Sequence, residues 1–274
     1  MFSTSTVSAA STDPRAASVP ASRAANATDS APRGGSSYVT SIAHTDAQIH
    51  AAQRLRYQVF GLEKGARLEP TADGRDVDAF DADMDHLIVT ETTSGEVVGT
   101  YRLLPPGRSA RLYSETEFDL RGLPTDVRSS MVEAGRACVH PDHRSGAVIN
   151  LMWAGLARYV LLSGHRYLAG CASVPLADGG QAAANAWLLG TTKHAAPPEL
   201  RVQPLDPWIP GRPLEAEAGY GTLPPLLRGY LRVGAWMCGP PQHERDFGDA
   251  DFFVMLDTER MNDRYRRYFL GDGK

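Results

Sequence analysis

Residues 131–148 read MVEAGRACVHPDHRSGAV, and this stretch decides the fold. Its first part is a short, largely apolar run of the kind that forms a strand in a sheet. Pro141 and Asp142 end that run, because proline cannot donate to a strand ladder and both residues favour turns. A mostly apolar run then extends from Ala147 to Leu162, which is typical of a buried helix. The stretch therefore predicts a strand, a tight turn and a helix.

Glu133 and Arg136 are the two charged residues inside this strand. Side chains alternate along a strand, so two residues three positions apart point to opposite faces. A β-bulge between them would bring both side chains into one cleft, and Gly135 is the predicted position of that bulge. The residues alone leave three arrangements open: Glu133 and Arg136 share a cleft, they act on opposite faces of the sheet, or they form an internal ion pair.

The turn before the helix is a candidate anion site. The first turn of a helix presents N–H groups without intrahelical partners and a partial positive charge. Arg144, Ser145 and Gly146 precede the helix, and the Arg144 guanidinium would add a full charge. We therefore expect these three residues to hold a phosphate, as helix N-termini do in many proteins.

The composition narrows the class of protein. The chain has 274 residues, a net charge of −4 and 42% hydrophobic residues, which allows one large domain or two small ones. The mild acidity argues against a nucleic-acid binder. No apolar run reaches the roughly 18 residues of a membrane-spanning helix. Three widely spaced cysteines indicate a reducing compartment, so we expect a cytoplasmic protein. His140 and His143 lack further ligands at a convincing spacing, so no metal site is predicted.

The chain divides into a short tail and one domain. Residues 1–37 are mostly Ser, Ala, Thr, Pro and Gly, so we expect disorder there, and they contain no apolar stretch typical of a secretory signal. Residues 38–274 are expected to form a single domain. Within it a hairpin leads the sheet and strands alternate with helices after residue 130, which predicts a mixed sheet with helices on both faces. The predicted helices are 45–62, 147–162, 180–189, 224–237 and 259–269, and the predicted strands are 87–91, 97–104, 131–140, 167–174 and 251–256.

An acidic loop lies between the first helix and the hairpin. Residues 63–85 hold eight carboxylates against three basic residues. The loop lacks the glycine and glutamate positions of an EF-hand. Two hypotheses remain: a solvated acidic loop, or a pocket for a cationic amine, with Phe80 indicating that part of the loop packs inward. Arg102, inside the second hairpin strand, either extends to solvent at an edge or points into a cleft to hold a carboxylate or phosphate.

The remaining charged residues fit the acylation of an amine. The chain has no Gly-x-Ser-x-Gly elbow and no Walker or dinucleotide glycine motif. Amine acylation from a thioester needs a base, oxyanion donors, an anion site for the carrier and a groove for the acyl chain. Glu133 supplies the base, directly or through a water. A bulge at Gly135 supplies backbone donors, and the small residues of 169–173 leave room for the groove.

Several motifs, in consistent order over residues 55–257, carry a resemblance to a known family. This chain resembles the ornithine-lipid acyltransferases, GNAT-like enzymes that acylate the α-amino group of ornithine from a 3-hydroxyacyl carrier protein, and it is similar to acyl-homoserine-lactone and N-acyl amino acid synthases. The motifs are Leu55-Arg56-Tyr57-x-Val59-Phe60, Asp78-x-Phe80-Asp81, Asp85-His86-Leu87, Val98-Gly99-Thr100-Tyr101-Arg102-Leu103, Glu133-x-Gly135-Arg136-x-Cys138-Val139, Arg144-Ser145-Gly146, Pro224-Pro225-Leu226-Leu227-x-Gly229-Tyr230-Leu231-Arg232 and Asp251-Phe252-Phe253.

The resemblance implies an α/β fold with a GNAT-like mixed, largely antiparallel sheet flanked by helices. It also implies roles: Glu133 helps to deprotonate the amine, and Arg136 stabilises the surrounding charged residues or the acyl side. The substrate-binding residues that it implies are Arg56, Phe60, Asp78, Asp81 and Arg102.

The resemblance further implies the donor and the product. The turn Arg144–Ala147 is compressed relative to the pyrophosphate turn of acetyl-CoA enzymes. It favours acyl carrier protein, whose phosphopantetheine has one phosphate, and no permanently bound cofactor is expected. The expected product is lyso-ornithine lipid, made from a small amino-acid acceptor. Because this product is amphiphilic, a transient contact with the inner membrane face is expected. The alternatives are another N-acyl amino acid or acyl-homoserine-lactone-type synthase, and a non-catalytic acyl-thioester-binding protein.

Overall fold

An eight-stranded sheet forms the centre of the protein. The computed structural model describes residues 37–68, 71–144, 146–261 and 263–270, with backbone only for residues 263 and 268–270. The strands are β1 (Tyr38–Ile42), β2 (Asp85–Glu91), β3 (Val97–Leu104), β4 (Phe118–Asp119), β5 (Met131–Val139), β6 (Tyr167–Pro175), β7 (Gln203–Pro204), β8 (Trp236–Met237), β9 (Gln242–Glu244) and β10 (Asp249–Asp257). The α-helices are α1 (Asp46–Arg56), α2 (Thr125–Ser129), α3 (Ala147–Leu162), α4 (Gln181–Lys193), α5 (Pro225–Arg232) and α6 (Asp263–Leu270).

The strand order of the large sheet is β1-β2-β3-β5-β6-β10-β8, with β9 paired to β10. All of these pairs are antiparallel except β5 and β6, which are parallel. Alternate residues of β2 show the two faces: Leu87 and Val89 lie in the core that contains α3, whereas Ile88 lies in the core that contains α1. The prediction of a mixed, largely antiparallel sheet with helices on both faces is confirmed.

The two parallel strands separate soon after they pair. β5 and β6 are paired only from Met131 to Glu133 on one strand and from Tyr167 to Ala169 on the other. Gly170 sits where they part, and a β-carbon there would overlap the backbone oxygen of Ala134. The absence of a side chain at Gly170 thus permits the close approach of the two backbones. Beyond that point a gap opens between the strands.

A β-bulge lies in β5, as the charged residues had predicted. Thr100 of β3 is opposite Cys138, but Arg102 is opposite Gly135, so β5 contains one extra residue. Among the described non-glycine residues, Arg136 has the one positive φ, 51°. The bulge is therefore at Arg136, and the position predicted from Gly135 was wrong by one residue. A left-handed arginine costs about 1–2 kcal/mol, so the surrounding contacts must hold it there.

Most of the predicted elements are present, with some shifted bounds. Helix α3 covers the predicted residues 147–162, and the hairpin of β2 and β3 is as expected. The first helix continues beyond α1 as a π-helix, Tyr57–Glu63. The helix predicted over 224–237 ends at Arg232, because Gly234 takes a positive φ of 105° and the chain turns into β8. A short 3-10 helix, Tyr113–Thr116, precedes β4. The disorder predicted for residues 1–37 falls almost wholly outside the described residues.

Candidate active site

A cavity of about 440 Å³ occupies the gap between β5 and β6. This volume lies within the usual range of small-molecule sites, about 300–1,000 Å³. Ile149 and Met152 of α3 line it on one face of the sheet, whereas Phe60 and Tyr113 line it on the other. The cavity therefore passes through the sheet between the two separated strands.

Glu133 lies where the strands part and is buried in the cavity wall. Its Oε2 accepts a hydrogen bond from the Tyr113 N–H, and its Oε1 accepts one from the Ser114 N–H, both at 2.7 Å. These donors belong to the first turn of the 3-10 helix Tyr113–Thr116. Burial raises the pKa of Glu133 above its ordinary value, although the two N–H donors oppose the shift. A carboxylate whose pKa is raised and whose orientation is fixed is a better base than an exposed one.

Three arginines and three aspartates form a buried charge cluster beside the cavity. It consists of Arg56, Arg102, Arg136, Asp76, Asp78 and Asp81. Arg56 donates to Asp76 and Asp81 at 2.9 Å and has no exposed side-chain surface. Arg102 donates to Asp78 at 2.7 Å. Although burial opposes it, the Arg56 guanidinium lowers the pKa of Asp81 to about 2. The charges of the cluster therefore cancel among themselves.

Arg136 connects this charge cluster with the cavity. Its guanidinium lies 3.8 Å from Asp76 and 3.7 Å from Asp78. The centroids of three aromatic rings, Phe60, Tyr113 and Phe247, lie 5.3–5.8 Å from its Cζ atom. Cation–π contacts of this kind stabilise a desolvated cation. The bulge brings Arg136 into the cavity that Glu133 lines, so the two residues share a cleft and form no ion pair.

The start of α3 opens into the same cavity. Arg144 and Gly146 line it, and Gly146 is the residue before the helix, with a φ of 98°. The Arg144 guanidinium also forms a two-point ion pair with Glu63, at 2.6 and 2.7 Å. Ser145, the third residue of the predicted phosphate site, lies outside the described residues. The N-terminus of α3 therefore faces the cavity with one arginine beside it.

Four further carboxylates lie beyond Glu133, and we call them the acid wall. They are Glu117, Glu244, Asp249 and Asp251. Asp249 and Asp251 follow one face of β10, and Glu244 of β9 is directly opposite Asp249. Burial, with repulsion from Glu244, raises the pKa of Glu117 to about 7. Burial, with repulsion from Glu117, raises the pKa of Asp251 well above its ordinary value.

The cysteines are buried thiols. Burial raises the pKa of Cys138 to about 12 and that of Cys171 well above its ordinary value. Cys171 lines the cavity and donates to the Ser114 Oγ at 3.4 Å. A thiol with a raised pKa is a poor nucleophile. The site therefore favours direct attack by an external amine over a covalent thioester on the protein.

The chain matches known sequences over most of its length. Residues 55–154 match the family described as an acetyltransferase (GNAT) domain. An L-ornithine N(alpha)-acyltransferase of Rhodobacter capsulatus is 35% identical over 85% of this chain and 95% of that protein. One of Brucella abortus is 33% identical over 83% of this chain and 87% of that protein. The chain belongs to the L-ornithine N(alpha)-acyltransferase family. The expected family and the prediction of an acyltransferase are thereby confirmed.

The fold of this chain is similar to the folds of solved acyl-homoserine lactone synthases. BjaI, a CoA-dependent acyl-homoserine lactone synthase solved with SAM and isopentyl-CoA, is 18% identical, with a TM-score of 0.51 over 83% of this chain and 85% of its own. The AHL synthase LasI is 15% identical, with a TM-score of 0.51 over 86% of this chain and 96% of its own. At these identities the likeness concerns the fold alone, and it agrees with the predicted GNAT-like architecture.

The predicted site residues of this family member divide into two groups. Those that line the cavity are Phe60, Arg102, Glu133, Arg136, Arg144 and Gly146. Arg56, Asp78 and Asp81 do not line it but support Arg102 and Arg136 from behind. The sequence prediction omitted the acid wall. One signal was available: Asp251 begins the predicted strand 251–256, whose other residues are all apolar, and a carboxylate in a buried strand needs a partner.

Proposed function

We propose that the protein transfers a 3-hydroxyacyl group from acyl carrier protein to the α-amino group of ornithine, giving lyso-ornithine lipid. The observation that carries the proposal is the cavity that passes through the sheet with the buried carboxylate of Glu133 in its wall. The family relationship supports the acceptor, because the relatives are named for ornithine.

The proposed reaction exchanges a C–S bond for a C–N bond. The acceptor ammonium first gives one proton to the base. The amine nitrogen then attacks the thioester carbon, and the carbonyl electrons move to oxygen. When the oxyanion collapses, the C–S bond breaks and the thiolate leaves. The second proton of the nitrogen passes to that thiolate, so the products are an amide, a thiol and one proton.

Glu133 is the base in this scheme. Each of its carboxylate oxygens accepts one backbone N–H and retains a second acceptor position. The acceptor ammonium, or a water between them, can therefore donate to it without breaking either hydrogen bond. The two N–H donors also hold the carboxylate in one orientation, which is a requirement for proton transfer at a fixed position.

The edge of β5 supplies the oxyanion donors. Past Glu133 this edge no longer pairs with β6, so its N–H groups face the cavity. The bulge at Arg136 also removes a residue of β5 from its pairing with β3. Backbone N–H groups directed at a developing oxyanion are the usual donors in acyl transfer.

The donor enters along α3. Ile149, Met152 and Leu226 give this side of the cavity an apolar lining for an acyl chain. Arg144, Gly146 and the N–H groups of the first turn of α3 hold the single phosphate of phosphopantetheine, and the compressed turn supports a carrier protein over coenzyme A.

We place the enzyme in the cytoplasm, in transient contact with the inner membrane face, where an amphiphilic product would leave. Among the described residues no helix is long and apolar enough to cross a membrane. Arg264, Arg267 and the partly buried Tyr265 of α6 supply the basic and aromatic side chains for surface contact.

The proposal is tested by incubating the purified protein with 3-hydroxyacyl carrier protein and ornithine, followed by mass spectrometry. We expect Nα-acylated ornithine. Acyl-CoA in place of the carrier protein tests the donor, and S-adenosylmethionine, glycine and lysine in place of ornithine test the acceptor. If only another amine is acylated, ornithine is not the acceptor, but amine acylation remains the reaction. Carrier binding without any product would identify an acyl-thioester-binding protein.

A further inference from the structure

The acid wall is an electrostatic anomaly in this fold. Asp249 and Glu244 are directly opposite each other across β9 and β10, an arrangement that is destabilising for like charges. Within the described part of the chain, no lysine or arginine lies within 4 Å of any of the four carboxylates. The nearest compensation is Lys64 on the cavity rim, which acts on Asp249 at longer range.

The two innermost carboxyls are also incompletely hydrogen-bonded. Glu117 is 3% exposed and Asp251 is 5% exposed. Both carboxyl oxygens of Glu117 and Oδ1 of Asp251 are buried without a partner at hydrogen-bonding geometry. Buried polar atoms in folded proteins are nearly always satisfied. Five atoms of the charge cluster also lack hydrogen-bonding geometry, but they have opposite charges close by, whereas these three carboxyl oxygens have none within 4 Å among the described residues, which indicates a missing partner.

A ligand reaches this place through the cavity. Asp251, Asp249 and Glu244 line it, whereas Glu117 does not line it but interacts with Asp251. A cation is the partner that fits best, because it donates hydrogen bonds and also relieves the repulsion that raises the pKa values of Glu117 and Asp251. No group of three or more His, Cys, Asp or Glu side chains in the described residues is arranged to hold a metal ion. An ammonium group, with three donors, fits better.

The position of the acid wall relative to Glu133 indicates which ammonium group of the acceptor it would bind. Glu133 binds the Ser114 N–H, and the Ser114 hydroxyl contacts Cys171. Cys171 in turn is a neighbour of Glu117. Two side chains thus separate the proposed base from the acid wall. The α-carbon and three methylene carbons of ornithine join its two amino groups, which is a span of about 6 Å at ordinary bond lengths. Arg136 also lines the cavity and is available for the acceptor carboxylate.

We propose that the acid wall is the subsite for the side-chain ammonium of the acceptor, and that Asp251 and Glu117 set the preference for a diamino acid. This inference rests on the proposed function. The acceptor lies with its α-amino group at Glu133, its carboxylate toward Arg136 and its second ammonium between Asp251 and Asp249. An acceptor with the same carbon chain but no second ammonium would leave the carboxyls without a partner. Sites built to hydrogen-bond a substrate group strongly reject the analogue that lacks it.

The experiment compares ornithine with norvaline, which has the same carbon chain without the second amino group. Initial rates are measured with 3-hydroxyacyl carrier protein for the wild type, Asp251→Asn and Glu117→Gln. We expect Asp251→Asn to lower kcat/KM for ornithine by about 10- to 100-fold, mainly through KM, because one charge-assisted hydrogen bond is lost. Glu117→Gln should lower it less, because Glu117 acts on the ammonium through Asp251. For norvaline kcat/KM should stay constant or increase. An equal loss for both acceptors, or no loss for ornithine, would overturn the proposal.

Asp119→Asn is the matched control, because it removes one carboxylate close in sequence to Glu117, at an exposed pair with Arg121. We expect this variant to leave kcat/KM unchanged for both ornithine and norvaline. Thermal melts of all variants test folding, and Asp251→Asn should melt no lower than wild type because it removes repulsion from Glu117 and Asp249. A wild type that acylates ornithine and norvaline equally would overturn only the subsite. A wild type that acylates no amino acid would overturn the proposed function, and the subsite with it.

Discussion

Two buried groups of acidic residues lie on one side of this sheet, and they differ in what balances them. The charge cluster pairs three aspartates with Arg56, Arg102 and Arg136. The acid wall has four carboxylates and no basic residue in contact among the described residues. Burying a charge requires a partner. The first group contains its own partners, whereas in the second the pKa values of Glu117 and Asp251 are raised, as expected for carboxyls without a cation beside them.

This difference assigns the two groups different functions. Removing one member of the balanced charge cluster leaves an uncompensated buried charge, so its members hold Arg102 and Arg136 at the cavity. Removing one member of the acid wall relieves repulsion, so stability does not account for its presence. Acidic residues that oppose stability are a feature of binding sites.

Glu133 belongs to neither group, and its substitution has the largest expected effect. Backbone N–H groups, and not arginines, hold this carboxylate. We expect Glu133→Gln to lower kcat by about 10²–10⁴-fold, the usual contribution of a general base. Turnover of ornithine is measured by mass spectrometry. Glu115→Gln, in the short helix whose N–H groups bind Glu133, is the control and should keep most activity because Glu115 is paired with Arg128. If the Glu133→Gln variant folds and keeps the full rate, Glu133 is not the general base.

The balance of the charge cluster is broken by Arg56→Met. This change leaves Asp76 and Asp81 buried without their main partner. We expect the free energy of unfolding to fall by about 3–5 kcal/mol, because one member of a buried ion pair is lost. Chemical denaturation measures it. Arg54→Met on the exposed side of the same helix should change stability by less than about 0.5 kcal/mol. Similar losses for both variants would contradict the balanced arrangement.

The acid wall predicts an unusual dependence of stability on pH. The pKa of Glu117 is raised to about 7 by burial and repulsion, so the folded protein binds this proton more tightly than the unfolded chain. Its stabilisation is complete below the ordinary pKa near 4.5 and is lost as the pH rises through about 7. The loss is on the order of 3 kcal/mol.

Denaturation of wild type and Glu117→Gln between pH 4 and 8 measures this effect. The groups that face Glu117 are Tyr113, Cys171, Glu244 and Asp251. We expect wild-type stability to decline over this interval more steeply than that of the variant. Saturating ornithine should flatten the wild-type curve, because its ammonium compensates the ionised carboxyls. Parallel curves for the two proteins would show that Glu117 is not perturbed.

The smallest effect concerns the ion pair of Arg144 and Glu63. Its side chains are 44% and 39% exposed, so Arg144→Ala should change stability by less than about 1 kcal/mol. If Arg144 also contacts the donor phosphate, KM for the carrier protein should rise several-fold at low salt and less at high salt. Arg158→Ala, at an exposed position of α3, serves as the control. If KM for the carrier protein is equal in both variants, Arg144 does not contact the donor phosphate.

The sequence predicted most of the fold because its signals are local. The helix at 147–162 follows from an apolar run bounded by Gly146 and by the turn at Ser163-Gly164, and the hairpin follows from two apolar runs around a four-residue turn. The helix predicted to continue to residue 237 failed for a local reason as well, because Gly234 adopts a conformation open to few other residues.

The site was less accessible to sequence reasoning. Alternation showed that Glu133 and Arg136 need a bulge to share a cleft, but the choice of Arg136 over Gly135 depends on the aromatic rings and aspartates that hold it. These rings come from positions 60, 113 and 247, which no spacing rule connects. The acidic loop gave two hypotheses that composition alone left open, and three of its aspartates are in fact paired with buried arginines.

By itself the sequence determined the strand–turn–helix unit, the mixed sheet and, through motifs in a fixed order, the family. Only the tertiary structure decided which carboxylates have partners. Periodicity and turn chemistry act between neighbours in the chain, so they can be read from it directly. The compensation of a buried charge depends on which distant residues packing brings within about 4 Å, and this is why Asp81 has an arginine partner while Asp251 has no basic residue beside it among the described residues.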